Sequence, residues 1–241
     1  TVGDGGALWS KATTTTISSS SFYGKDETIA AQNGGAVYVS QNGVATNITT
    51  STFKKCASSG HGGAVYVHGG STSITGGTYE NCVASGSGGA VCHDSTGTLS
   101  VSSVTFGASN ASAKANMANV DGGALWSKAT TTTISSSSFY GKGSAAAAQN
   151  GGAIYQNGGA ITITGGTVET CASSGNGGAI YASNASVTLG DGTQALTISS
   201  NKALGTYNAD QANSLTGSGG GLYMSGGTLN IYNNVTLSDN A

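Results

Sequence analysis

The chain has 241 residues, enough for one or two domains, yet only 7% of them are charged, against about a quarter in an average soluble domain. A formal net charge of −2, with eight lysines and no arginine, gives no basic footprint for nucleic acid or an anionic surface, and no apolar run approaches the ~18 residues needed to cross a bilayer. The 41 glycines come without proline, and the apolar residues are regularly spaced, so order from repetition is expected in place of disorder.

Along the chain a Gly-Gly-small-aliphatic-aromatic motif recurs. It begins at Gly5-Gly6-Ala7-Leu8-Trp9, returns at Gly34-Gly35-Ala36-Val37-Tyr38 and Gly62-Gly63-Ala64-Val65-Tyr66, and at Gly88-Gly89-Ala90-Val91-Cys92 puts cysteine in place of the aromatic residue. It resumes at Gly122-Gly123-Ala124-Leu125-Trp126, Gly151-Gly152-Ala153-Ile154-Tyr155, Gly177-Gly178-Ala179-Ile180-Tyr181 and Gly219-Gly220-Gly221-Leu222-Tyr223. Successive starts lie 29, 28, 26, 34, 29, 26 and 42 residues apart. Twelve positions after the first glycine stands an aliphatic residue: Ile17, Ile74, Ile134, Ile163, Leu189 and Ile231. Thr, Ser or Asn usually flank it, the alternation of a half-buried strand.

A coil of 26–29 residues accommodates about three short strands with their turns. One coil cannot bury its own aliphatic side, so coils must stack at about 4.8 Å and pair every strand in parallel. The fold class expected is therefore all-β: a right-handed parallel β-helix, or β-solenoid, of about eight coils. Paired glycines belong at its corners, where positive φ or close approach between coils is needed. The long spacings predict two extruded loops, near Ala108–Val120 and Gly190–Gly217.

Residues 1–241 read as a single solenoid segment that opens and stops within the pattern, as expected of a piece of a longer array. It divides into a first four-coil block at 5–121 and a second at 122–241. The 22 residues from Asp4 to Lys25 are repeated without change from Asp121 to Lys142, which marks a duplication of four coils.

The Gly-Gly-Ala-(Ile/Leu/Val) motif resembles the repeats of the chlamydial polymorphic outer-membrane proteins and related surface β-helix proteins. Members of that family add Phe-x-x-Asn. In its place this chain has Phe53-Lys54-Lys55-Cys56, Tyr79-Glu80-Asn81-Cys82 and Phe139-Tyr140-Gly141-Lys142, so only the first half of the pattern is kept. The resemblance covers all eight coils. It implies a surface-exposed parallel β-helix with an adhesive passenger role, and carries over no catalytic residue.

Cys56, Cys82 and Cys171 each precede the next glycine pair by six residues. Cys56 and Cys82 belong to adjacent coils, within reach of either a disulfide or a ladder of packed thiols. Neither Cys-x-x-Cys nor a Cys/His cluster points to a metal, and no cofactor is expected. Sequons at Asn47, Asn110, Asn184 and Asn234 are candidate N-glycosylation sites in a secreted setting.

The ten acidic residues are scattered and form no paired-carboxylate motif, and an arginine base is absent, so an enzyme is not expected. His61, His68 and His93 read as polar residues of loops and turns. Alternation turns Trp9, Tyr38, Tyr66, Trp126, Tyr155, Tyr181 and Tyr223 outward as an exposed aromatic stripe. The leading expectation is a structural or adhesive extracellular element at the cell surface, self-associating end to end or laterally, with a host surface or glycan as candidate ligand. Ice or another ordered surface is the alternative, met by Thr/Ser ranks that Asn47, Asn230, Gly190 and Tyr232 interrupt.

Overall fold

A computed structural model describes residues 3–25, 28–40, 45–109, 112–143, 145–205 and 217–241, together with the backbone of 207–208 and 214–215. It is a parallel β-solenoid. One wall is an eight-stranded sheet whose strands follow the glycine pairs, from Leu8–Ser10 and Val37–Val39 through to Leu222–Met224. A 12-stranded sheet forms the second and third sides, and its longest strands are Ala45–Lys54, Ser71–Glu80, Thr131–Tyr140 and Ala160–Glu169. Short pairs such as Ala57–Ser58 with Val83–Ala84 close the coil. Among the described residues the one antiparallel pair is Tyr207–Asn208 with Ser214–Leu215.

The corners explain the glycine pairs. The first glycine has left-handed φ, 62° at Gly62 and 66° at Gly122, which costs a residue with Cβ about 1 kcal/mol or more. The second touches the neighbouring coil: a Cβ on Gly63 would overlap the carbonyl oxygen of Gly89 and lie 2.6 Å from that of Val83. At six of the pairs the residue before the glycines stitches coils together. Asp4 accepts from the Asn33 backbone N–H at 3.0 Å, Asn33 from His61 at 2.9 Å, and His61 Nδ1 from Ser87 at 3.0 Å. Asp121, Asn150 and Asn176 repeat this for the backbone N–H groups of Asn150, Asn176 and Ser218.

The long strands bend where the backbone turns left-handed: at Thr50 (φ 48°) and Ser136 (47°), and at the pairs Gly76 (65°)–Gly77 (93°) and Gly165 (66°)–Gly166 (96°). Before the bend, the interior rank is Ile17, Ile48, Ile74, Val101, Ile134, Ile163 and Leu189, all buried. Ile231 departs from expectation and is 49% exposed, because its strand ends the sheet and nothing stacks on it. After the bend runs an interior rank of aromatic rings, Phe22, Phe53, Tyr79, Phe106 and Phe139, stacked 4.6–5.0 Å apart. Val168, Ile198 and Leu237 continue it. Truncating a buried aromatic residue of this kind costs about 3–5 kcal/mol, so these rings hold the coils as firmly as the aliphatic rank does.

Both loop expectations narrow. Met117–Ala118 pairs with Val83–Ala84, so the wall resumes before Val120. Within Gly190–Gly217, Leu196–Ser199 and Lys202–Ala203 are wall strands, and Leu196 and Ile198 are buried. Residues 206, 209–213 and 216 of that stretch lie outside the described residues.

His93 also departs from expectation. It lies in the interior, fully buried, on the rank of Val39 and Val67. Burial pushes its pKa down to about 4. Above the ordinary histidine pKa near 6.5, folded and unfolded states are both neutral and nothing is lost. As pH falls from there toward 4, the unfolded chain takes up the proton first, and stability should drop by up to about 3 kcal/mol. His93→Val, which extends the valine rank, is expected to remove that part of the acid sensitivity. Urea midpoints of both proteins at about pH 7 and about pH 4.5 read the difference.

Candidate functional site

The outward residues of the eight-stranded wall form the most distinctive surface. Parallel register places Trp9, Tyr38, Tyr66, Cys92, Trp126, Tyr155, Tyr181 and Tyr223 in one rank along the axis. Rings on successive rungs stack: Tyr38–Tyr66 at 5.3 Å, Tyr155–Tyr181 at 4.9 Å and Tyr181–Tyr223 at 5.0 Å, with Trp9–Tyr38 and Trp126–Tyr155 both at 6.4 Å. Trp9 is exposed, and Tyr38, Trp126, Tyr155, Tyr181 and Tyr223 are half-buried. Tyr66 is only 8% exposed, which corrects its place in an exposed stripe. The rings of His61 and His68 each lie 6.2 Å from it, and its hydroxyl donates to Asp94 at 3.0 Å.

The stripe breaks at Cys92. Between the rings of Tyr66 and Trp126 lies a notch of about 70 Å³, lined by those two residues with His61, Cys92 and Asp94. Asp94 is its polar hub. Beyond the Tyr66 hydroxyl it meets His68 Nδ1 at 3.4 Å and Lys128 Nζ at 3.6 Å. Burial works against the Asp94 carboxylate, but the Tyr66 hydroxyl and the Lys128 and His68 charges outweigh it and hold its pKa below the ordinary value. Burial, joined by the Asp94 charge, pushes the Cys92 thiol well up and keeps it protonated.

All four cysteines are buried thiols. Burial pushes the Cys82 and Cys171 thiols up. Cys56, Cys82 and Cys171 donate weakly to carbonyl oxygens of the coil before, as Cys82 does to Phe53 at 3.7 Å. The same corner elsewhere holds asparagine. Asn116 donates to Tyr79 and accepts from the Cys82 N–H, Asn201 donates to Val168 and accepts from the Cys171 N–H, and Asn240 donates to Ile198 and accepts from the Asn201 N–H. At Ile198-Ser199-Ser200-Asn201 and Leu237-Ser238-Asp239-Asn240 the asparagine stands three residues after an aliphatic residue, on the interior rank that Phe139 occupies in an earlier coil.

On the outer face of the 12-stranded sheet, the rank Thr16, Asn47, Ser73, Ser100, Thr133, Thr162, Thr188 and Asn230 is interrupted as expected. Beyond the bend a rank that the spacing did not reveal is unbroken: Ser21, Thr52, Thr78, Thr105, Ser138, Thr167, Thr197 and Thr236.

Of the sequon asparagines, Asn184 and Asn234 are exposed, Asn47 is half-buried in its strand, and Asn110 lies outside the described residues. Among the described residues no group of three or more His, Cys, Asp or Glu side chains is placed to hold a metal ion, and no helix is long and apolar enough to cross a membrane. The chain matches no family model, no curated protein and no solved structure.

Proposed function

We propose that this chain is a structural and adhesive solenoid of the cell surface or extracellular matrix, a shaft that displays a long aromatic face. The observation that carries the reading is the in-register aromatic stripe, which runs along the eight-stranded wall with ring faces stacked on successive rungs. Outward aromatic rings are not needed to hold the interior, which has its own phenylalanine rank. They offer a contact surface whose energy scales with length. The Gly-Gly-Ala repeats, similar to those of polymorphic outer-membrane proteins, support a surface location. Cryo-electron microscopy of the purified chain, with its mass in solution, tests the shaft. Filaments or end-to-end assemblies with an axial repeat near 4.8 Å are expected, and particles of single-chain mass alone would overturn self-association into a shaft.

A second reading, an ice- or ordered-surface-binding solenoid, is favoured by the unbroken Ser/Thr rank from Ser21 to Thr236. Its hydroxyls repeat at the inter-strand spacing of about 4.8 Å. Thermal hysteresis decides it. A freezing-point gap that vanishes in Thr105→Lys would support ice binding, and no gap in the unaltered protein would remove it.

A further inference from the structure

The break in the aromatic stripe has the dimensions of the thing it lacks. Successive rungs place ring faces about 5 Å apart, as Tyr155, Tyr181 and Tyr223 show. Cys92 occupies one rung between Tyr66 and Trp126, so those two rings bracket a space one ring thick. The thiol, 1% exposed, forms only its floor. The notch of about 70 Å³ would hold several waters, since one needs about 10–15 Å³ of such space. That is too little to engulf a sugar, but it admits the edge of one ring with the remainder standing outside.

The rim distinguishes between kinds of ring. His61 Nδ1 accepts from the Ser87 N–H at 3.0 Å, which leaves Nε2 to donate. Asp94 brings a carboxylate held by Tyr66, His68 and Lys128, with acceptor capacity to spare. A plain aromatic ring would use the two walls and waste both polar groups. A pyranose presents C–H faces to the walls and hydroxyls around its edge to a donor and an acceptor. We propose that the Cys92 rung is a binding slot for a single pyranose ring, sandwiched between Tyr66 and Trp126 and hydrogen-bonded at its edge by Asp94 and His61. The proposal rests on the adhesive part of the reading above and names a ligand class for it. The rod seen by microscopy is independent of whether the slot is filled.

The chain has two tryptophans, so Trp9→Phe leaves Trp126 as the sole indole reporter, at the wall of the slot. In that background, fluorescence is titrated with the methyl pyranosides of glucose, galactose, mannose and N-acetylglucosamine, and separately with phenol. A saturable change with at least one pyranoside is expected, and none with phenol at equal concentration. Cys92→Tyr puts into the slot the side chain that neighbouring rungs already carry, so the fold should survive, with an unchanged unfolding midpoint, while the fluorescence response disappears. Asp94→Asn, an isosteric change that keeps an acceptor oxygen for the Tyr66 hydroxyl, should weaken the pyranoside about tenfold or more through loss of a charged hydrogen bond. Silence toward all four pyranosides overturns the proposal, as does a response to phenol alone or a pyranoside response that Cys92→Tyr leaves intact. Should Cys92→Tyr fail to fold, an undiminished affinity in Asp94→Asn is equally fatal.

Discussion

Ile74→Lys is expected to abolish folding of the central coils. Ile74 is fully buried, between Ile48 and Val101 on the neighbouring rungs. Losing its packing costs about 2–5 kcal/mol by comparison with truncations at similar sites. An unpaired ammonium inside adds several more, unless it is neutralised at a similar cost. The sum rivals the whole stability of an ordinary domain, about 5–15 kcal/mol. The matched control is Thr75→Lys, one residue along on the exposed outer face, which should move stability by no more than about 0.5 kcal/mol. Circular dichroism and limited proteolysis of the two variants read the contrast. Equal, unperturbed folding in both would mean that the strand register is wrong.

Gly63→Ala should be clearly destabilising without abolishing the fold, although it adds only a methyl group. The new Cβ would sit inside contact distance of the Gly89 carbonyl oxygen and 2.6 Å from that of Val83. Both obstacles are backbone and cannot rotate away, so two coils must move apart at a corner where Gly63 also donates to Gly88 at 3.1 Å. Overpacking of this kind costs about 3 kcal/mol, or roughly 6–12 °C in melting temperature for a chain of this size. Gly3→Ala, with nothing within 4 Å of the added Cβ, is the control and should be close to neutral. A melting temperature for Gly63→Ala within a degree or two of the control would contradict the tight coil-to-coil contact.

These two sites were legible in the sequence for different reasons. Glycine pairs at a recurring spacing can be read directly, because no other residue meets both demands of the corner. The Ile17–Leu189 rank shows through strict alternation. The interior rings were harder to see. Phe22, Phe53, Tyr79, Phe106 and Phe139 each lie five residues after their aliphatic partner, an odd step that an unbroken strand would send outward. One left-handed residue at the bend, such as Thr50 or Ser136, resets the alternation. The unbroken Ser/Thr rank escaped notice for the same reason, as it begins one residue short of those rings. His93 could have been found, since it stands two residues after an inward valine, where Val39 and Val67 stand in other coils. The burial of Tyr66 could not, because His61, His68 and Asp94 come from three separate positions of the coil and meet only once the rungs are stacked.

The two stitched corners run in opposite directions along the axis. At the glycine corner, the acceptor belongs to the earlier coil and the backbone donor to the later one, as with Asp4 and Asn33. At the cysteine–asparagine corner the order reverses, with Cys82 N–H donating forward to Asn116 and Cys171 to Asn201. An internal coil is therefore completed by its predecessor on one side and its successor on the other, through chemistry that scarcely depends on which coil the neighbour is. Such a unit behaves like a standard coupling: any coil with an Asx residue before its glycines can be spliced beside any other without a tailored joint. Asp4 and Asp121, within the 22 residues that the chain repeats unchanged, make the same contacts to Asn33 and Asn150. Gene duplication could thus lengthen or shorten the rod by whole coils while leaving every junction chemically finished.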